Sequence, residues 1–392
     1  MKNAIQFHDL DPTDTPPGGG FMPIEQLRRV AADPKAYARR WKERRGGHVI
    51  GTLCSYAPEE LILAGGALAH RIVGGRGPIT RADAHLQSYS CSLVRGALED
   101  ALAGGLEFLD GIIFPHTCDS IQRLSDIWRL NARTGFHLDV VMPVKLNTDS
   151  ARAYMAAVMG EAKARLESLL ERTINEADLR RAIETYNQIR ATMGRLHALR
   201  RQRPGLISGG DGHTIVRASM VMDRGEFLAC LGGLVDRLEG RSGEADTAAK
   251  RIFLSGGVCN LPDLYSLIEG SGGVVVGDDL CTGWRGLTGM IEPGDDPIAA
   301  IAHRYARRAI CPAKHAGITR RGDELVRQAR ESGAQGVVFI FLKFCDPHAF
   351  DYPYLKSRLD EVGIPCLLIE LEEQTANQGQ LKTRCEAFIE ML

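Results

Sequence analysis

The feature that most constrains this chain is a change of hydrophobic period. In two blocks, short and nearly continuous apolar runs alternate with helix-patterned segments, while the stretch from Ser150 to about Arg203 carries helical spacing alone. HVIGTLC (48–54), GIIFP (111–115) and HLDVVMPVK (137–145) punctuate the first block. RIFLSGG (251–257), GGVVVGDDL (272–280), GVVFIFL (336–342) and PCLLIEL (365–371) punctuate the second. Strands that are apolar on both faces and separated by helices belong to parallel sheets covered on each side. The expectation is an α/β protein with two Rossmann-like or flavodoxin-like parallel-sheet domains joined by a helical section.

The boundaries follow the period: an arm and helices over 1–45, a first α/β domain over 46–149, a helical connector over 150–245, and a second α/β domain over 246–392. Residues 1–20, with a GGG run, read as an irregular arm, and 21–45 as two short helices broken near Pro34. Residues 55–75 read as one helix with Pro58 in its first turn, and further helices are expected from Cys91, after Cys118, over 261–268, 298–308 and 354–362, and at the C-terminus. Met155, Val158, Met159, Ala162 and Leu166 recur at helical spacing and read as packing.

With 48 basic against 49 acidic side chains, no global field favours nucleic acid or an anionic membrane, so neither is an expected partner. The longest apolar run, VVFIFL, is far short of the roughly 20 residues of a membrane span. The polar N-terminus lacks the apolar core of a signal peptide, so a cytoplasmic location is expected. Gly-Lys never occurs, which removes the Walker A loop, and neither HExxH nor GxSxG is present. The glycine-rich turns at 74–77 and 255–260 read as tight turns. The basic cluster Arg39, Arg40, Lys42, Arg44 and Arg45 reads as a solvated helix face, with a grip on phosphates as the alternative.

Ten cysteines without a CxxC pair exclude a zinc ribbon, so any metal site has to be assembled from distant segments. Open α/β sheets bind ligands at strand C-termini. Cys54, Cys118, the DLCTGWR segment with Cys281 and Arg285, Cys345 and Glu370 all fall at or just beyond such ends, and Cys91 opens a helix. A thiol at a helix N-terminus faces partial positive charge and is favoured as thiolate. Cys230, Cys366 and Cys385 lie inside element patterns and read as inert core thiols. On spacing alone the remaining cysteines fit either buried structural thiols or ligands of an iron–sulfur cluster. His116 and His348 stand beside Cys118 and Cys345, as packed histidines or as proton donors.

The segments CSYAPEELILAGGALAHRI, CSLVRGALEDAL, FLDGIIFPHTCDSIQRLSDIW, DDLCTGWR, KFCDPHAFDYPYLKSRLDEVGIPCLLIELE and TRCEAFIEML resemble the 2-hydroxyacyl-CoA dehydratase and benzoyl-CoA reductase superfamily. The HTCDSIQRLSDIWRLN and KFCDPH segments are most similar to the smaller cluster-binding subunit of ATP-dependent benzoyl-CoA reductases. The resemblance implies a [4Fe-4S] cluster on Cys91, Cys118 and Cys345, with Cys54, Cys281 and Cys311 as further ligands if a double-cubane cluster is held. It also implies a homologous cluster-binding partner subunit and an ATP-hydrolysing activator with its own [4Fe-4S] cluster.

The activity so implied is delivery of low-potential electrons to the ring of benzoyl-CoA, giving a cyclic diene. Dehydration of a 2-hydroxyacyl-CoA is the alternative, and a non-catalytic electron-relay or scaffold subunit is a reading of another class. His116 and His348 are then the candidate proton donors, and Arg285 with Trp284 the candidate contacts to the acyl-CoA.

Overall fold

A computed structural model describes residues 23–75, 77–241, 248–260, 262–308, 311–317, 319–372 and 378–392. The arm expected over 1–20 lies outside these residues, as do Arg76 of the 74–77 turn and Leu261. Two four-stranded, all-parallel sheets are present, each in the order second, first, third, fourth strand. In the first, β1 (Val49–Thr52) lies between β2 (Leu68–Arg71) and β3 (Gly111–Pro115), with β4 (Phe136–Val140) outside β3. In the second, β5 (Lys250–Gly256) lies between β6 (Gly273–Asp279) and β7 (Gly336–Leu342), with β8 (Cys366–Leu371) outside β7. Winding reverses at the first strand of each sheet, which leaves a crevice between the C-terminal ends of β1 and β3 and another between those of β5 and β7.

The N-terminal helices are α1 (Pro23–Ala32) and α2 (Pro34–Arg45), broken at Asp33, whose side chain caps α2. The basic residues of α2 are partly engaged in packing. Lys42 pairs with Asp110 at 2.8 Å, Arg44 and Arg45 lie 3.6 and 3.8 Å from Glu226, and Arg39 covers the Phe108 ring.

The segment 55–75 is not one helix. Helix α3 covers only Glu59–Ala64, and Gly65–Gly66 ends it, with Gly66 at φ +78°, before the chain turns into β2. The β2 sequence LAHR has no alternation to mark it, because its residues are all buried. Strand β4 is shorter than expected, stopping ahead of Pro143, which has no N–H to offer a ladder.

Helices α4 (Ser92–Leu102) and α5 (Asp119–Asn131) flank the first sheet, where Trp128 is fully buried against Phe114. The connector is α6 (Asp149–Leu170), α7 (Glu176–Gln202), α8 (Gly209–Ser219) and α9 (Arg224–Glu239). Met155, Met159, Ala162 and Leu166 form one stripe of α6 in the core beneath the first sheet, with Val158 packed at its edge.

Around the second sheet stand α10 (Pro262–Gly270), α12 (Arg320–Glu331), α13 (Asp346–Glu361) and α14 (Gln378–Met391). Two of these differ from expectation. The strongly charged sequence of α12 hides its buried stripe of Leu325, Val326 and Ala329. Helix α13 begins with Asp346-Pro347, a favourable first turn, well before Tyr354. Helix α11 (Pro297–Arg307) comes from the second block yet buries Ile301, Ala302, Tyr305 and Ala306 under the first sheet, where Tyr305 donates to the Ala57 carbonyl at 2.7 Å.

Candidate functional site: a field of thiols

Three of the cysteines occupy the same local position. Cys91, Cys118 and Cys345 are the N-caps of α4, α5 and α13, and none uses its side chain for capping. Each sulfur therefore stands at the positive end of a helix, where the N–H groups of Ile121 and His348 favour the charged forms of Cys118 and Cys345 against burial. Phe344, at φ +64°, is one of two described non-glycine residues with positive φ, and its left-handed turn sets Cys345 at the start of α13 just beyond β7.

The tertiary fold brings three more thiols to the same place. Cys54 follows β1, Cys281 follows β6, and Cys311 lies in the loop after α11. Thr117 Oγ1 stands 3.4 Å from Cys54 Sγ, and Arg285 Nη1 stands 3.2 Å from Cys281 Sγ. Burial pushes the Cys118 thiol well up, and the neighbouring thiols of Cys91, Cys54 and Cys311 disfavour its ionisation further. Cys345 behaves alike, with burial first and the thiols of Cys91, Cys118 and Cys281 adding to it. Burial and the neighbouring Cys281 and Cys54 push Cys311 up to about 12, against the pull of Arg285. These six sulfurs are close enough to sense one another, and Cys230 and Cys385 are buried elsewhere in the core.

Cations surround the second trio. Lys314 is 4% exposed, donates to the carbonyls of Met142 at 3.1 Å and His116 at 3.4 Å, and faces Cys54, Cys311 and Cys118. Burial pulls its ammonium below the ordinary lysine range, and the three sulfurs oppose that shift. Arg308, also 4% exposed, donates Nη2 to the carbonyl and hydroxyl of Ser55 and stacks its guanidinium over Tyr56 and Tyr305. Among the described residues neither cation has a carboxylate partner. Arg285 is 2% exposed and pairs with Asp279. Uncompensated buried charge is costly, so such a collar fits an anionic occupant.

Among the described residues, no three His, Cys, Asp or Glu side chains converge tightly enough to share one metal ion. A cluster differs, because it distributes its thiolate ligands over several irons. Six soft donors at two crevices, with buried cations against them, fit that chemistry and not a mononuclear centre.

The family model for the 2-hydroxyglutaryl-CoA dehydratase D-component matches residues 54–392. The chain belongs to this family. Over 94% of its length it is 27% identical to the (R)-phenyllactyl-CoA dehydratase beta subunit of Clostridium sporogenes, covering 98% of that protein. It is 28% identical to one of the benzoyl-CoA reductase subunits of Thauera aromatica, over 91% of this chain and 94% of that one. It is also 28% identical to the beta subunit of (R)-2-hydroxyglutaryl-CoA dehydratase from Acidaminococcus fermentans, over 94% and 98% respectively. No described helix is long and apolar enough to cross a membrane.

In this dehydratase-family chain a cavity of about 510 Å³ opens beside Cys118, with Thr117, Lys314, Arg321, Asp351, Phe350 and Tyr354 among its walls. Phe350 and Tyr354 are exposed aromatics at its rim, joined by Val144. Neither His116 nor His348 lines it. His116 turns its Nε2 to Asp139 Oδ1 at 2.9 Å, in a network with Ser125, His137 and Arg129. Burial alone would raise the Asp139 carboxyl, but hydrogen bonds from His137, Ser125 and His116 outweigh it and hold the group well below the usual range.

His348 is buried between Cys345 and Arg285. Burial, with Arg285 and Arg321 nearby, keeps the ring neutral. Arg285 directs its donors to Asp279, the Gly256 carbonyl and Cys281, so it faces the thiols and not a solvent-borne phosphate. Trp284 stacks on His197 at 4.7 Å, away from the cavity.

Proposed function

We propose that this chain is the iron–sulfur subunit of an enzyme acting on a CoA thioester, and that its reaction is the reductive dearomatisation of benzoyl-CoA. One observation carries the cofactor: six thiols meet at the crevices of two sheets against buried cations. Cys91, Cys118 and Cys345 would hold a [4Fe-4S] cluster, and Cys54, Cys281 and Cys311 would hold a second cubane or the other half of a double-cubane cluster. When bound, such a group supplies low-potential electrons. A homologous cluster-binding subunit and a separate ATP-hydrolysing activator are the partners this reading requires, in keeping with the missing phosphate loop.

The residues of the chain have their own tasks in this reading. Lys314 and Arg285 offset negative charge on the sulfurs. Phe350, Tyr354 and Val144 give the cavity an apolar mouth that suits an acyl group and sheds water from the site. Asp139 holds the His116 ring by its Nε2, which suits His116 to move a proton along the edge of the first sheet.

The sequence resemblance and the Thauera aromatica relative named as a benzoyl-CoA reductase support the reductive reading. The relatives named as dehydratase beta subunits match equally well and support the second reading, dehydration of a 2-hydroxyacyl-CoA. Turnover of the complete complex, purified without oxygen and supplied with each thioester, separates them. Reduction consumes ATP at every turnover, whereas dehydration runs many turnovers after one activation. Product from the hydroxyacyl thioester alone would overturn the benzoyl assignment.

A further inference from the structure

The two thiol trios are not merely near each other. A chain of close polar contacts joins them: Cys345 Sγ to His348 Nδ1 at 3.2 Å, His348 Nε2 to Arg285 Nη1 at 3.4 Å, and Arg285 Nη1 to Cys281 Sγ at 3.2 Å. A guanidinium has donors only, so the imidazole nitrogen facing it is the acceptor. The single proton of a neutral ring then sits on Nδ1 and points at Cys345. The Gly256 carbonyl, which takes Arg285 Nη2 at 2.8 Å, keeps a second lone pair within reach of the His348 ring and is the competing acceptor for its proton.

The surroundings fix both side chains. Asp279 receives Arg285 Nε at 2.8 Å and Nη2 at 3.0 Å, which locks the guanidinium plane. His348 lies flat over Gly257, where a Cβ would meet the ring at 3.4 Å, and against Phe341. The ring is 5% exposed. Neither residue reaches the cavity that would take a substrate.

We infer that Arg285 and His348 are positioning residues: a bridge that gives an N–H to one sulfur of each trio and makes the tautomer at Cys345 depend on the guanidinium at Cys281. This rests on the reading of the six thiols as cluster ligands. Hydrogen bonds to ligand sulfur stabilise the added electron and raise the reduction potential. The bridge therefore sets the potential on both sides and couples one to the other.

The test uses the full-length protein, purified anaerobically, with iron counted per chain and the midpoint potential read by titration of its paramagnetic signals. His348→Leu removes the donor at Cys345 and should shift the potential of that side downward at unchanged iron. His348→Asn, whose amide nitrogen stands where Nδ1 stood, should restore most of the shift. Arg285→Gln should lower the potentials on both sides. Equal potentials in wild type and His348→Leu would overturn the bridge.

A second measurement needs no iron. Nitrogen-15 spectra of labelled histidine in metal-free protein should show His348 protonated at Nδ1, and Arg285→Gln should populate the Nε2–H form. A wild-type ring protonated at Nε2 also overturns the inference, and this measurement decides the matter if His348→Leu binds no iron. Wild-type protein free of iron and sulfide would instead sink the cofactor reading, with the tautomer still deciding the bridge.

Discussion

Cys91, Cys118 and Cys345 sit at the starts of helices, whereas Cys54, Cys281 and Cys311 sit in loops facing buried cations. The first trio is met by backbone partial charge, about half an elementary charge per helix end. The second is met by whole charges on Lys314 and Arg285. A helix start is written locally, in the residues on either side of the cysteine. A collar of cations exists only after distant segments have packed. Both arrangements work against the burial that pushes these thiols up, but the second depends far more on tertiary structure.

The largest expected effect tests whether the first trio is a ligand set at all. Cys118→Ser should abolish activity and remove the iron assigned to its trio, and iron content equal to wild type would refute the assignment. Cys281→Ser sharpens the contrast: it should remove about half of the iron, as expected for two cubane units, and retention of all iron would show that the second trio is structural. Lys314→Met leaves every thiol in place and deletes one cation. Iron should then be lost faster to a chelator from the second trio than from the first, and equal loss from both would break the comparison.

Acidification separates buried cations from buried neutral rings. Burial, reinforced by nearby Lys35, Arg217 and other cations, lowers His70 to about 3, and burial with Arg200 and Arg201 lowers His197 to about 3. Unfolded histidine titrates near 6.5, so the unfolded chain binds more protons between that pH and about 3, and stability falls as pH falls through this window. Each ring should cost roughly 2 kcal/mol by pH 5. Denaturant unfolding of His197→Phe should show a shallower acid loss than wild type. The smallest effect is expected at Arg40, an exposed residue of α2. Arg40→Glu should leave thioester KM unchanged and stability within about 0.5 kcal/mol, whereas a raised KM would return the basic helix to phosphate recognition.

Much of the fold was legible because buried parallel strands betray themselves as apolar runs, and Cys118 and Cys345 could be placed at strand ends for that reason. Strand β2 was not legible, since His70 and Arg71 are buried there by the tertiary fold and carry no signal of it. Helix α12 hid its apolar stripe among charges. Lys314 had no signature either: its loop is brought to the thiols by backbone pairing of His315 with Val144 and Leu146, at 2.8 and 3.0 Å. The roles of Arg285 and His348 depended on which way their donors point, which spacing does not record.

Helix α11 and the residues after it carry Arg308, Cys311 and Lys314 back beneath the first sheet. During synthesis the first sheet is complete long before these residues leave the ribosome, and Cys345 follows later still. Nascent chains therefore expose an unfinished pocket with Cys54, Cys91 and Cys118 and none of the cations. Assembly of the proposed cluster then belongs after chain release, because a chain cut short before α13 lacks Cys345.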